Sequence, residues 1–171
     1  MTKDFFIVHS DKMRLDRKPF NCDLSLRLLM EKILFHLAFP VHDLSAAKKF
    51  YLALGCKAGR ESKHSLILNL HGHQIVAQIA EKPLPVQKGI YPRHFGLVFR
   101  SLKDWTQLLN RARRKRLRFY QDPRLRYPGT PIEHHTFFLQ DPSHNLLEFK
   151  CYTHPTAIFG KKGFRKVGDR P

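Results

Sequence analysis

Cysteines, acids and long apolar runs are all scarce in this chain. Its 171 residues hold three cysteines, Cys22, Cys56 and Cys151. An odd, widely scattered set excludes a disulfide framework and a zinc clip, and it reads as reduced thiols in a cytoplasmic protein. No run reaches the ~18 apolar residues that a membrane span requires. The opening stretch, Met1 to Val8, is too short in apolar residues for a secretory signal and lacks a small-residue cleavage pattern. Acids number 14 against 31 Lys and Arg, a net charge of +17. That excess predicts weak, salt-sensitive adhesion to polyanions. It does not predict specific nucleic-acid binding. The densest basic run, residues 111–118, falls on a helix whose Trp105, Leu108, Leu109 and Ala112 form a buried stripe, which leaves most of the charge on the solvated side. No nucleic-acid module or aromatic stacking platform accompanies it.

What the chain does have is a repeat. Phe35-His36-Leu37-Ala38-Phe39-Pro40-Val41 and Arg93-His94-Phe95-Gly96-Leu97-Val98-Phe99 are both apolar strand-like runs entered by a histidine, 94 − 36 = 58 residues apart. Each precedes a helical pattern. Such a repeat implies two similar halves with the histidines in equivalent places. A carboxylate, Glu148, stands in a third apolar run, Leu146-Leu147-Glu148-Phe149. Two histidines and one carboxylate on three strands are the ligand inventory of a divalent metal site with open positions.

Periodicity orders the rest. In the first half, a strand over 34–40 precedes a helix capped by Asp43, with Leu44, Ala47, Tyr51 and Leu54 at helical spacing and Gly55 at its end. A strand over 56–60 follows, then strands over 65–70 and 73–79 joined by a His71-Gly72 turn. Residues 81–92, rich in proline, form a linker. The second half predicts a strand over 93–99 and a helix opened by Ser101. A strand over 118–121 and a long loop over 122–133 come next. Strands over 135–140 and 146–152 follow, joined by the turn Asp141-Pro142-Ser143-His144-Asn145. The fold class is therefore α+β, two paired βαβββ modules over 30–80 and 93–153. Residues 1–29 match nothing in the repeat and read as an extension, dispensable or not native. Residues 154–171 read as a basic tail, mobile at its end.

Strand alternation puts His36 on one face with Ala38, and His94 with Gly96 and Val98. If the first strands pair about a pseudo-twofold axis, His36 and His94 converge and Glu148 completes the site. Among the 11 histidines, His134 shares strand parity with Thr136 and Phe138 and is the expected acid–base group. Lys150 shares parity with Glu148 and is an expected contact to substrate, as is Phe138. Arg124 and Arg126 are expected anion contacts on a lid formed by the 122–133 loop.

These stretches, together with Phe50-Tyr51-Leu52-Ala53-Leu54-Gly55-Cys56, Gly72-His73-Gln74, Glu133-His134-His135-Thr136-Phe137-Phe138 and Asp141-Pro142-Ser143-His144-Asn145, resemble the vicinal oxygen chelate superfamily. That superfamily includes glyoxalase I, extradiol dioxygenases and fosfomycin-resistance transferases, and the chain looks most like its extradiol-type dioxygenase group. The resemblance covers about residues 30–152. It implies an open, cup-shaped sheet around one metal held by His36, His94 and Glu148. The strand over 73–79 lacks the carboxylate that glyoxalase I carries there as a fourth ligand, which favours three ligands. Phe138 stands where well-studied ring-cleaving dioxygenases carry a tyrosine. The resemblance implies a metal-dependent dioxygenase using Fe(II), with Mn, Ni or Zn as alternatives, on a small substrate with vicinal oxygens. The rivals are a glyoxalase-like lyase or isomerase and a small-molecule binding or resistance protein. Expected partners are that substrate, molecular oxygen and a second copy of the chain in a homodimer, without membrane or specific nucleic acid.

Overall fold

The computed structural model describes residues 33–82 and 85–168. The extension expected over residues 1–29 lies outside the described residues. The chain divides into two units, residues 1–34 and 35–171, and the second contains the whole repeat.

Each half of that unit is βαβββ. The first runs β1 (His36–Val41), α1 (Leu44–Leu54), β2 (Lys57–Glu61), β3 (Ser65–Leu70) and β4 (His73–Ile79). The second runs β5 (Phe95–Phe99), α2 (Leu102–Arg114), β6 (Phe119–Arg126), β7 (His134–Gln140) and β8 (Leu146–Tyr152). The sheets have the equivalent orders β1-β4-β3-β2 and β5-β8-β7-β6. In each, the first strand lies parallel to the last. The fold is thus α+β with two paired modules.

Local signals account for the elements. Asp43 accepts a hydrogen bond from the Ala46 amide and caps α1, and Gly55 ends it at φ 117°. Ser101 caps α2 by accepting from the Asp104 amide. The β3–β4 turn takes His71 and Gly72 to φ 50° and 93°, the sense of a tight hairpin turn. Leu44, Ala47, Tyr51 and Leu54 of α1 and Trp105, Leu108, Leu109 and Ala112 of α2 are buried. Both helix faces join one core with the inner faces of both sheets. Burying these side chains is the main stabilising term, about 1.5–3 kcal/mol for each large one.

The turn between β7 and β8 ties the modules together. The buried Asp141 carboxylate accepts from the amides of Ser143 and Asn145, each at 2.8 Å, and from Asn145 Nδ2 at 2.9 Å. It also accepts from the Tyr51 hydroxyl of α1 at 3.0 Å. Asn145 Nδ2 donates to the Pro40 carbonyl on β1, and the His42 amide donates to Ser143 Oγ. His144 adopts φ 66°, a backbone region where most side chains are strained. Burial raises the Asp141 pKa against the lowering pull of these donors.

One expectation is corrected. Residues 122–126 are not part of a loop, because β6 continues through Pro123 to Arg126. An edge strand tolerates proline, and the register shifts on either side of Gln121 absorb the missing amide. Arg124 and Arg126 therefore sit on a strand opposite Thr136 and His134, not on a lid. The end of the expected C-terminal tail, residues 169–171, lies outside the described residues, and residues 159–167 are exposed. A short 3₁₀ turn, Pro155–Ala157, buries Ala157, and the Tyr127 hydroxyl donates to the Gly168 carbonyl. No helix among the described residues is long and apolar enough to cross a membrane. Cys56 and Cys151 are buried free thiols, and burial pushes Cys56 up to about 12.

Candidate metal centre

β5 and β8 bring two of the three expected ligands together. Gly96 pairs with Glu148 in the parallel ladder. A Cβ built on Gly96 would lie 1.7 Å from the Glu148 carbonyl oxygen, so only glycine lets the strands approach this closely. His94, two residues earlier, directs Nε2 to Glu148 Oε2 at 3.1 Å. Its Nδ1 lies 2.8 Å from the Ile90 carbonyl. A carbonyl can only accept, so Nδ1 carries a proton; Nε2 donates to the carboxylate when the ring is protonated and is left free for a metal when it is neutral. The Phe138 ring packs 5.4 Å from the imidazole, edge on.

Glu148 is 4% exposed. Its Oε1 accepts from the Thr136 hydroxyl at 2.9 Å, and Oε2 lies 2.9 Å from Lys150 Nζ. Burial pushes this carboxyl up, but His94, Lys150 and Thr136 outweigh it and hold the group at about 2. The hydrogen bond to Glu148 raises His94, with burial opposing. The result is a buried, ionised carboxylate facing an imidazole of fixed tautomer. Both donors suit a borderline divalent ion, and the backbone carbonyl behind the imidazole orients the ring as an outer-shell partner does. The residues present therefore fit two of the ligands.

The expected convergence of all three within one chain does not occur. His36 is exposed, and its Nδ1 pairs with Gln74 Oε1 at 2.7 Å. Among the described residues, no three of His, Cys, Asp and Glu stand close enough to hold a metal. The physical reason is strand direction. Phe39 meets Phe95, with ring centroids 5.2 Å apart. Asn145 reaches Pro40 at one end of β1, while at the other end the ring of His71, next to β4, lies 5.8 Å from Phe99. β1 and β5 thus run in opposite directions, and their entering histidines lie at opposite ends, about 13 Å apart along the strands.

The other expected site residues are placed as follows. Lys150 touches Glu148, and Phe138 touches His94. Arg126 and His134 are buried side by side, paired across β6 and β7. Arg124 is exposed. His134 is opposite Tyr152, four residues beyond Glu148 on β8. That is about 13 Å of strand, which removes His134 from the His94–Glu148 pair. Sequence reasoning missed Thr136, whose hydroxyl supports the carboxylate. Its shared parity with His134 was the available signal.

Comparison with known proteins agrees with this architecture. A family model, the Glyoxalase/Bleomycin resistance protein/Dioxygenase superfamily, matches residues 33–149. Among solved structures, a glyoxalase/bleomycin resistance protein/dioxygenase from Alicyclobacillus acidocaldarius is 39% identical. That match covers 75% of this chain and 98% of the other, with a TM-score of 0.72. The fosfomycin resistance protein FosX from Listeria monocytogenes (16% identity, 74% and 98% coverage, TM-score 0.57) shares the fold. So does the lactoylglutathione lyase from Agrobacterium tumefaciens (16%, 70% and 92%, 0.53). No functionally curated protein matches the chain. The paired βαβββ modules and the family match define a protein of the vicinal oxygen chelate class. The chain belongs to the Glyoxalase/Bleomycin resistance protein/Dioxygenase superfamily.

Proposed function

We propose that this protein is a metal-dependent dioxygenase of extradiol type, acting on a small substrate with vicinal oxygens and holding Fe(II) through His36, His94 and Glu148. The carrying observation is the His94–Glu148 pair, an imidazole of fixed tautomer against a buried carboxylate held at about 2. A divalent ion with two imidazoles and one carboxylate supplies Lewis acidity and open positions for substrate and oxygen. The absence of a carboxylate from β4 favours three ligands over four.

The chain's own groups have separable tasks. Ile90 and Thr136 orient the two ligands. Phe138, fully buried, walls the imidazole and keeps water from that side. Lys150 is the proton-bearing side chain at the pair, bonded to Glu148 and partly exposed, and it can neutralise charge on a bound substrate oxygen. This task replaces the acid–base role first expected of His134.

His36 enters from a second copy. It is exposed at the far end of β1, and among the described residues of one chain only two of the expected ligands come together. A homodimer, with two equivalent sites in a cytoplasmic setting, completes the set. Mixing His36→Ala with Glu148→Ala chains tests this directly. Each variant alone should bind no metal, whereas the mixed dimer should regain one of its two sites. Metal bound fully by either single variant would defeat the ligand assignment. Oxygen uptake that requires Fe(II) and a vicinal diol supports the dioxygenase. Oxygen-independent turnover of a hemithioacetal with Ni(II) or Zn(II) would instead assign a lyase, and binding without turnover a resistance-type protein.

A further inference from the structure

A cavity of about 210 Å³ lies along β6, β7 and β8 beyond the candidate ligands. Arg126, His134 and Lys150 line it on the strand side, and the C-terminal segment supplies the opposite wall with Lys161 and Lys166. Four cationic side chains and no carboxylate line it among the described residues. Lys150 is shared with the candidate centre, because its ammonium also touches Glu148. Arg126 and His134 are 5% and 4% exposed, so the cavity is built from buried polar groups and not from surface lysines alone.

His134 defines what the cavity can take. Its Nδ1 lies 2.9 Å from the Ile132 carbonyl, so that nitrogen carries the proton. Its Nε2 is buried and has no hydrogen-bond partner. Tyr152 and Tyr127 pack on the ring, with centroids at 4.7 and 5.9 Å, and hold it in place. Burial, together with the charges of Lys150 and Arg126, keeps the imidazole neutral. Nε2 is therefore an acceptor that meets no donor, with the charges of Lys150 and Arg126 acting on the ring. A buried acceptor without a donor is costly, and a plain anion offers none. A ligand with both an oxyanion and a hydroxyl satisfies both demands.

We propose that this cavity is a substrate subsite for an anionic group that carries a hydroxyl beside it, of the hydroxycarboxylate type. The subsite rests on the dioxygenase reading for its place in the reaction: it receives the end of the substrate remote from the His94–Glu148 pair. Arg126 and Lys150 bind the carboxylate, and His134 Nε2 accepts the hydroxyl proton in a hydrogen bond without removing it. The C-terminal segment closes the site from the other side.

Binding of glycolate and acetate to the full-length chain tests this, in chelator at about pH 8, where His134 is neutral. Inorganic phosphate, which keeps an O–H there, and sulfate, which has none, form a second pair. Titrations are followed by calorimetry and by the ¹⁵N shift of His134 Nε2. Glycolate and phosphate should move that shift and bind at least about tenfold more tightly than acetate and sulfate, the scale of one hydrogen bond in a charged setting. Arg126→Met should weaken glycolate about tenfold or more. Because Arg126 is buried, Lys150→Gln is the second variant and should weaken it in the same direction. Equal binding within each pair, no movement at His134, or unchanged affinity in both variants would overturn the subsite. The measurement needs no metal, so its failure leaves the metal assignment standing. A chain that takes glycolate but never metal would refute the metal reading alone.

Discussion

Replacing Asp141 with alanine should loosen both modules at once. The carboxylate is 2% exposed and accepts four hydrogen bonds, two from backbone amides of its own turn, one from Asn145 Nδ2 and one from Tyr51. Alanine strips all four and leaves the Tyr51 hydroxyl, itself 0% exposed, without a partner. At about 1 kcal/mol for each lost bond and about 1–3 kcal/mol for the stranded hydroxyl, the gross loss is about 5–7 kcal/mol. Relief from burying a carboxylate offsets part of it and brings the net to about 3–5 kcal/mol. Burial also raises the Tyr51 pKa strongly, with Asp141 adding to it, so the phenol stays protonated and remains a donor.

Urea unfolding, read as a midpoint shift at unchanged slope, measures the effect. Tyr51→Phe alone should cost about 1–2 kcal/mol, because it removes one bond to a charged acceptor. In the Asp141→Ala background the same change should be nearly neutral or favourable, because it removes the stranded hydroxyl. A cost below about 1 kcal/mol for Asp141→Ala would place it among ordinary surface changes and refute the hub. Equal costs for Tyr51→Phe in both backgrounds would show that the two side chains do not act as a pair.

Glu148 is held at about 2, below its ordinary 4.5. Its contribution is therefore full above about pH 4.5 and is lost as pH falls through about 2, up to about 3 kcal/mol in all. The stability gap between metal-free wild type and Glu148→Gln should accordingly narrow in acid, which urea midpoints across pH will read. Gly96→Ala should cost about 3 kcal/mol or more, because the new Cβ meets backbone and cannot be absorbed by a rotamer. It should also abolish metal binding by parting β5 from β8, and metal analysis of any folded variant checks that. The net charge of +17 should give DNA or RNA binding that collapses between low and physiological salt. Sequence-selective retention at high salt in a filter assay would contradict it.

Much of the fold was legible because it is written locally. Asp43, Gly55 and Ser101 mark helix ends through bonds to residues within one turn, and the apolar spacing of α1 and α2 selects the faces that are buried. The pairing of His94 with Glu148 was reachable from the repeat, since parity puts both on one face. The separation of His36 was not, because periodicity fixes which way a side chain points and says nothing of how one strand runs beside another. Asp141 was legible as a turn former only, since its partner Tyr51 is 90 residues away. Pro123 misled as a breaker. Its edge position on β6, which makes it harmless, is a property of the sheet and not of the segment.

The repeat is symmetric in backbone and asymmetric in chemistry, and the register shows where the two halves part. Gly96 pairs with Glu148 in the second sheet, and its equivalent, Ala38, pairs with Val76 in the first. One strand step further, Lys150 corresponds to Gln78, and Thr136 across from it corresponds to Ser65. The second half thus surrounds its carboxylate with an imidazole, an ammonium and a hydroxyl, which together keep the charge inside the protein. The first half has no charge at the corresponding positions and needs none. A carboxylate at Val76, 9% exposed, would lack the ammonium that Lys150 provides in the other half, and burial without that partner would neutralise it. One half therefore stores a buried negative charge and the other presents a histidine at an exposed face. Under the proposed three-ligand site, a second copy turned to set one half against the other would bring these two parts together.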